Sequence, residues 1–394
     1  MYVFLFSLLR NGAKLLRQSV VFRSTVYRPI RMLLRKRFQT LEFNLYSQRK
    51  NREHQEGYPD VYIGTSEYVL GIFIDPFLSH DAYCAACMDL GVSYKLIDIF
   101  SSDWISKIKA SGCDGFLSWP GESIQEWKRL YDDRLRFVSE EMGLLIYPSM
   151  NAVWLYGSKE RQQQWLEINN ISHPKTWVFY NKDEAVDFVE HWDYTQYKIV
   201  AKTDIGACSS GVVIIKSRRE ALKYINKAFG TGLPLGCFSD VQTRQWRHVF
   251  FQKHVGDAKE WRMIRFGNSY FGYEKVKTGE FHSGTGLAMW NTPSKDLLSL
   301  THMISTKCQS SSMSLDVFQL PGGSLLVNEM QCVFGAYDDA QMYVDGEPGR
   351  FVRQANGEFV FEKGVYCVNH CCNLRIRDFM DIISNSKKTK EKKK

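Results

Sequence analysis

The spacing of apolar positions changes along this chain, and the changes mark its divisions. In residues 1–40, Leu5, Leu9, Leu16 and Val20 gather on one side of a helical wheel, with Arg10, Lys14 and Arg17 on another. That pattern suits an interfacial helix on an anionic membrane surface, and equally an amphipathic helix packed on its own domain with a solvated basic face. The opening run MYVFLFSLL is too short to span a bilayer and lacks the flanks of a signal peptide. From Tyr68 short apolar runs alternate with helical patterns: YVLGIFID, a helix from about Ser79, YKLIDIF, a helix after Ser101, GFLSWP, and a helix opening near Gly121-Glu122. This β-α-β-α alternation predicts a small open, largely parallel α/β domain, to which Leu144–Pro148 adds a short strand. After a helix in KERQQQWLEIN the period shortens again from His173, with strands at TWVF, YKIVAKT, GVVIIK, HVFFQKHV, EWRMIRFG and SYFGYEKVK. Several follow one another directly, which predicts an antiparallel sheet carrying a ligand on one face.

The segment LDVFQLPGGSLLVNEMQ reads as two strands joined by a two-residue turn at Gly322-Gly323. Counting back from that turn puts Asp316 opposite Glu329, and Gln331 shares the Glu329 face because side chains alternate with period two. Like charges directly opposite destabilise a ladder. With no cation nearby in sequence, the pair predicts a site for a hard divalent ion such as Mg²⁺, which takes carboxylate and carbonyl oxygens. A solvated acidic pair on a hairpin edge is the plainer alternative.

Charge narrows the partners once it is located. Residues 1–40 hold nine Lys or Arg and no acid, and residues 387–394 hold six Lys and one Glu, so a net charge of +8 leaves the body between them at −6. An acidic body excludes a nucleic-acid channel. The lysine-rich end after Ser386 is expected to be a disordered tail. The ten cysteines have irregular spacing, and a chain long enough for two or three domains needs no staples, so they are expected to be reduced thiols in a cytoplasmic protein. Cys84 and Cys87 fall one turn apart on a predicted helix, where buried thiols are common. Cys367, His370, Cys371 and Cys372 cluster as zinc ligands do, but no second knuckle follows.

In YKIVAKTDIGACSSGVVIIK, a strand ending in Lys202 runs into a loop of small residues from Gly206 through Ser209 and Ser210 to Gly211. Small residues let backbone amides approach a phosphate, and the lysine supplies charge. A flexible hairpin loop has the same composition, and the P-loop pattern is absent.

In order, these pieces resemble the ATP-grasp superfamily, which includes the glutathione synthetases, the D-alanine–D-alanine ligases and the RimK-like carboxylate–amine ligases. The resemblance covers roughly Ser66 to Tyr366, most securely Lys159 to Gln331. It implies an N-terminal parallel α/β domain followed by an ATP-grasp fold of two α+β subdomains. The expected divisions are an extension at 1–56, the first domain at 57–150, the ATP-grasp domain at 151–366, split into 151–248 and 249–366, and a C-terminal segment at 367–394. Within YGSKERQQQW, Lys159 matches the lysine that reaches the nucleotide phosphates, Lys202 the second such lysine, and Gly206, Ser209, Ser210 and Gly211 the loop over the triphosphate. In FFQKHVGDAKEWRMIRFG, Gln252 falls where a glutamate often reads the adenine amino group, Lys253, His254 and Val255 on the linker that bonds the base, and Glu260 on the ribose acid. Arg262 matches a family arginine, and Lys275, with Lys277 as the alternative, the basic residue for the reacting phosphate. His282 in EFHSGTG is a candidate proton acceptor, and Asp316, Glu329 and Gln331 fall on the magnesium triad.

The sequence departs from the pattern at Gln331 for the usual Asn, at Gln252 for Glu, in CVFG for an Asn-rich glycine loop, and at Ser314, where amino-acid ligases often place an arginine that Arg262 and Arg265 could replace. The resemblance implies ATP and Mg²⁺ as cofactors and amide formation between a small-molecule or glycan-linked carboxylate and an amine through an acyl phosphate. A cell-envelope or polysaccharide precursor would suit peripheral membrane contact through residues 1–40. A nucleotide-binding scaffold without turnover, and a kinase of the same fold, are the alternatives left open by the departures.

Overall fold

The computed structural model describes residues 57–75, 79–121, 125–206, 211–235, 244–276, 288–334 and 341–392. The first layer is an open sheet of β1 (Val61–Tyr62), β2 (Val69–Phe73), β3 (Ser93–Ile97), β4 (Gly115–Leu117) and β5 (Ile146–Tyr147), in the order β1-β3-β2-β4-β5. All neighbours are parallel except β1 and β3. Helices α1 (Asp81–Asp89), α2 (Trp104–Ser111) and α3 (Gln125–Arg136) join the strands, as the alternating pattern predicts. From β2 the chain goes to β3 on one side and then to β4 on the other, so the strand order reverses between β2 and β4.

Two short helices follow, α4 (Met150–Leu155) and α5 (Lys159–Ile168). Each starts at a serine whose hydroxyl accepts a backbone N–H three residues on, Ser149 from Ala152 and Ser158 from Arg161. The second layer contains β6 (Thr176–Phe179), α6 (Lys182–Glu190), β7 (Ile199–Lys202), β8 (Val213–Ile215), α7 (Arg218–Phe229), a short pair β9 (Leu233–Pro234) and β10 (Arg244–Gln245), and β11 (Val249–Lys253). Its four-stranded sheet, β6-β11-β7-β8, is antiparallel throughout. Because β11 pairs with β6 and β7, Val249–Lys253 falls with the lysine-bearing sheet, and not with the metal subdomain where the division at 249 put it.

The third layer is an eight-stranded sheet. It comprises β12 (Lys259–Phe266), β13 (Ser269–Lys275), β14 (Ala288–Met289), β15 (Ser312–Gln319), β16 (Leu325–Gln331), β17 (Met342–Val344), β18 (Glu347–Arg353) and β19 (Phe359–Lys363). The path runs β16-β15-β12-β13-β18-β17, with β14 on β13 and β19 on β18. One face is packed by Leu297, Leu298 and Ile304 of α8 (Lys295–Lys307) against Met263, Met313 and Leu315. The other face carries the candidate chemistry.

A last helix, α9 (Cys372–Glu391), sends Ile376, Phe379 and Ile383 into the core of the first sheet beside Leu70, Ile72 and Leu117. The lysine run expected as a disordered tail therefore continues a helix as far as Glu391, because the apolar stripe upstream is anchored in a core. Among the described residues no helix is long and apolar enough to cross a membrane. The basic segment 1–40 lies outside the described residues.

Candidate functional site

The register of the third sheet assembles the site. Arg262 on β12 stands opposite Asp316 on β15, which stands opposite Glu329 on β16; one step along, Glu260 stands opposite Lys275. Alternation then puts Glu260, Arg262, Lys275, Ser314, Asp316, Glu329 and Gln331 on one face. The predicted facing carboxylates are present, but the turn differs. The Leu320 amide donates to the Ser324 carbonyl at 2.9 Å, which makes Pro321–Gly323 a three-residue loop, with Gly323 in the left-handed region at φ 84°. That shifts the ladder by one, so Val317 pairs with Val327, and a bulge at Asn328 shifts it back.

The expectation that the acids have no cation near them is overturned. Arg262 Nε lies 2.5 Å from Asp316 Oδ1 and its Nη2 lies 3.0 Å from Oδ2, while Lys275 Nζ reaches Asp316 Oδ2 at 2.5 Å and Glu260 Oε1 at 2.8 Å. Both cations come from strands that are neighbours only through long-range pairing. Burial alone would push the Asp316 carboxyl up, but Arg262 and Lys275 outweigh it and hold the pKa below the usual carboxylate value. Burial likewise opposes the Lys275 charge, and Asp316 and Glu260 overcome it, raising that pKa. Arg262 Nη1 also approaches the Gln331 amide oxygen, at 3.3 Å. Glu329 is half-buried and accepts no hydrogen bond among the described residues. Arg265 cannot stand in for an arginine at Ser314: three residues from Arg262, it emerges on the other face and donates to Ser305 Oγ at 2.8 Å and Thr306 Oγ1 at 3.0 Å on α8.

The two nucleotide lysines approach from the second layer. Lys202 ends β7 and its ammonium donates to Asn328 Oδ1 at 3.1 Å, so the bulge residue joins the lysine to the acid row. Burial, only partly offset by Glu329, lowers the Lys202 pKa to about 8. Lys159, the first residue of α5, donates to the carbonyls of Gly206 at 2.7 Å and Asp204 at 3.2 Å, at the mouth of the small-residue loop. Asp204 fixes that mouth to the helix N-terminus, accepting from Ser158 Oγ at 3.0 Å and the Glu160 amide at 2.8 Å. The far end closes where the Thr203 amide donates to the Gly211 carbonyl at 3.1 Å. A Cβ on Gly211 would lie 2.1 Å from Thr203 Oγ1, so only glycine fits. Ser209 and Ser210 lie outside the described residues, as do Lys277 and His282.

The linker offers less to a base than expected. The Lys253 and His254 amides already donate to the Lys175 and Lys198 carbonyls, at 2.8 and 3.0 Å, which leaves the Val255 amide. Gln252 is buried with its amide donating to Thr176 Oγ1 at 3.2 Å, and the Lys253 ammonium sits 3.4 Å from the centre of the Tyr197 ring.

Sequence reasoning passed over Gln162 and Asn328. Gln162 is buried on α5 and clamps the β16 backbone between Glu329 and Gln331: its Nε2 donates to the Met330 carbonyl and its Oε1 accepts from the Met330 amide, both at 2.8 Å. In KERQQQW it reads as one of a polar run on a solvated face.

Oxygen donors of this kind suit a hard cation, and Glu329, whose carboxylate accepts no hydrogen bond among the described residues, is the position best fitted to hold one. Asp316 would have to share its oxygens with Arg262 and Lys275. Among the described residues no group of three His, Cys, Asp or Glu forms a metal cluster. Cys367, His370, Cys371 and Cys372 therefore form no such cluster. Cys84 and Cys87 are buried on α1, where burial pushes the Cys84 thiol up to about 12.

No family model and no curated protein matches the chain. Among solved structures, D-alanine–D-alanine ligase from Bacillus anthracis, complexed with ATP, superposes with a TM-score of 0.51 at 14% identity, over 81% of this chain and 99% of that one. The chain has the ATP-grasp fold. Further ATP-grasp similarities are to a RimK domain protein from Sphaerobacter thermophilus (TM-score 0.46, 15% identity, 66% of this chain and 89% of that one) and to N5-carboxyaminoimidazole synthetase from Staphylococcus aureus with ADP (0.48, 14%, 73% and 82%).

Proposed function

We propose that this ATP-grasp chain is an ATP- and Mg²⁺-dependent carbon–nitrogen ligase that activates a carboxylate as an acyl phosphate and passes it to an amine. The observation that carries the reading is the single face on which Glu260, Arg262, Lys275, Asp316, Glu329 and Gln331 meet, with Lys202 joined to it through Asn328 and Lys159 at the loop mouth. Phosphoryl transfer asks a protein mainly to position groups and neutralise charge, and this face carries both signs with no nucleophilic side chain required.

Lys159 and Lys202 would hold the polyphosphate, and the Gly206–Gly211 loop would cover it. Glu260 faces the position of a ribose hydroxyl, and the Val255 amide is the donor left for the base. Lys275 and Arg262, held by Asp316, present cations where charge gathers on the transferring group. Glu329, Asp316 and Gln331 would hold magnesium, which supplies charge neutralisation of the phosphates. The acyl acceptor is an amine, and the carboxylate is a small or glycan-linked acid.

ADP release dependent on magnesium, measured over a panel of carboxylates with and without amines, tests this reading. Hydroxylamine added to the reaction should trap a hydroxamate. Turnover with no hydroxamate and a phosphorylated product would assign a kinase instead, and nucleotide binding with no ADP release a scaffold.

A further inference from the structure

Where the first sheet, the site sheet and α9 meet, the protein encloses a charge with no counter-ion among the described residues. Arg375 is fully buried, and among the described residues its Nε and Nη2 have no hydrogen-bond partner. Its Nη1 reaches the Cys372 sulfur, at 3.7 Å, and the Tyr83 hydroxyl is a second neutral neighbour within hydrogen-bonding reach of the guanidinium. Three rings wall the guanidinium: Trp119, Phe266 and Phe334, at 4.8, 4.7 and 5.3 Å from its carbon. Tyr83 and Cys372 also face it, but burial raises both pKa values, that of Cys372 to about 11, so neither brings a negative charge. A guanidinium cannot shed its proton, and a buried ion without a partner is costly. Ser118 Oγ, in the residue before Trp119, is buried and also has no hydrogen-bond partner among the described residues.

The location suits a ligand. Ser118 and Trp119 follow β4 at its carboxyl end, beside the point where the strand order of the first sheet reverses, and open α/β sheets bind ligands there. Phe266 projects from the same face of β12 as Arg262, and Phe334 lies three residues beyond Gln331. Arg375 therefore lies further along the face that carries Asp316 and Gln331. Between them Ser314 Oγ is another buried hydroxyl without a partner. Of the three rings only that of Trp119 belongs to a half-buried residue.

We propose that Arg375 binds an acidic group of the substrate, a carboxylate or phosphate separate from the carboxylate that is activated. The inference rests on the ligase reading for its place in catalysis, and it defines the substrate as an acid with a second anionic group. Trp119 swings aside to admit that group, which takes the bidentate place on the guanidinium that no carboxylate among the described residues fills.

Thermal unfolding with succinate or inorganic phosphate, each against sodium chloride at equal ionic strength, tests this on the full chain. The phosphate arm uses Lys202→Met protein, so that the nucleotide lysine does not report. Succinate, phosphate or both should raise the melting temperature saturably, and Arg375→Met should weaken that effect at least about tenfold, the loss of one charge-assisted pair. Arg375→Met without anion should melt no lower than wild type, since it removes an unpaired charge. A lower melting temperature for that variant, with no anion effect on wild type, overturns the proposal and makes the guanidinium a structural cation. Should Arg375→Met not fold, the Trp119 fluorescence, taken as wild type minus Trp119→Phe, decides. A succinate-dependent signal supports the site, and its absence overturns it. Stabilisation by ATP with magnesium is read separately. Its loss alone would sink the ligase reading and leave the anion site standing.

Discussion

Replacing Gln162 by leucine removes a clamp and little else. Leucine has nearly the volume of glutamine, so the buried slot stays filled, but the Met330 amide and carbonyl each lose a partner at 2.8 Å. The Leu155 carbonyl, the third partner, keeps the Ser158 amide at 3.3 Å. Two backbone groups stranded away from water cost about 1–3 kcal/mol each, and the apolar gain of leucine returns about 1–2 kcal/mol, so the middle of these ranges gives an expected net loss of about 2.5 kcal/mol. Denaturant titration reads that loss. The second effect is on magnesium: Glu329 and Gln331 flank the freed residue, while Lys159 stays on its own helix. The magnesium concentration for half-maximal ATP binding should rise about tenfold, with magnesium-free ATP binding unchanged. A variant within about 0.5 kcal/mol of wild type, the range of ordinary surface changes, with the same magnesium curve would refute the reasoning.

Three further outcomes are expected. Glu329→Gln should fold normally, since Glu329 has no hydrogen bond to lose among the described residues, yet reduce magnesium-dependent turnover by about 100-fold or more; unchanged turnover would remove the metal assignment. Lys275→Met should destabilise by about 3 kcal/mol because it removes the ammonium that Glu260 and Asp316 share in a buried site, and equilibrium unfolding checks it. With its folded pKa lowered to about 8 from 10.5, Lys202 binds more protons unfolded than folded between those values, so its contribution to stability increases as pH rises through that window. ATP affinity should fall above about pH 8 as the ammonium is lost, and a flat profile from pH 7 to 9.5, or one unchanged by Lys202→Met, would contradict this.

The layer order was legible because period and turn chemistry are local: the β-α alternation from Tyr68 and the successive strands after His173 both match the structure. The facing of Asp316 and Glu329 was legible for an incomplete reason. A turn one residue longer than expected and a bulge at Asn328 cancel, and neither the left-handed Gly323 nor the extra residue leaves a separate mark in PGGSLLVNEMQ. The cations on Asp316 were not legible, since Arg262 lies 54 residues away and only the β12–β15 register brings it near. Gln162 was hidden for the opposite reason, because burial of a polar side chain depends on an edge strand 168 residues downstream. The helical end of the lysine run follows from Ile376 and Phe379, whose partners lie in the first sheet.

That last contact sets an order of events for the nascent chain. Tyr147 closes the first sheet, yet its hydroxyl bonds Asp378, 231 residues later, and Phe379 fills the space over Gly115. At about 5–20 residues per second, the ribosome takes on the order of 10–50 seconds to add the missing helix. Through that interval Leu70, Ile72 and Leu117 lack part of their cover, so the first sheet, made before the other two, still waits for its core after they are complete and stays exposed to chaperones and proteases during synthesis.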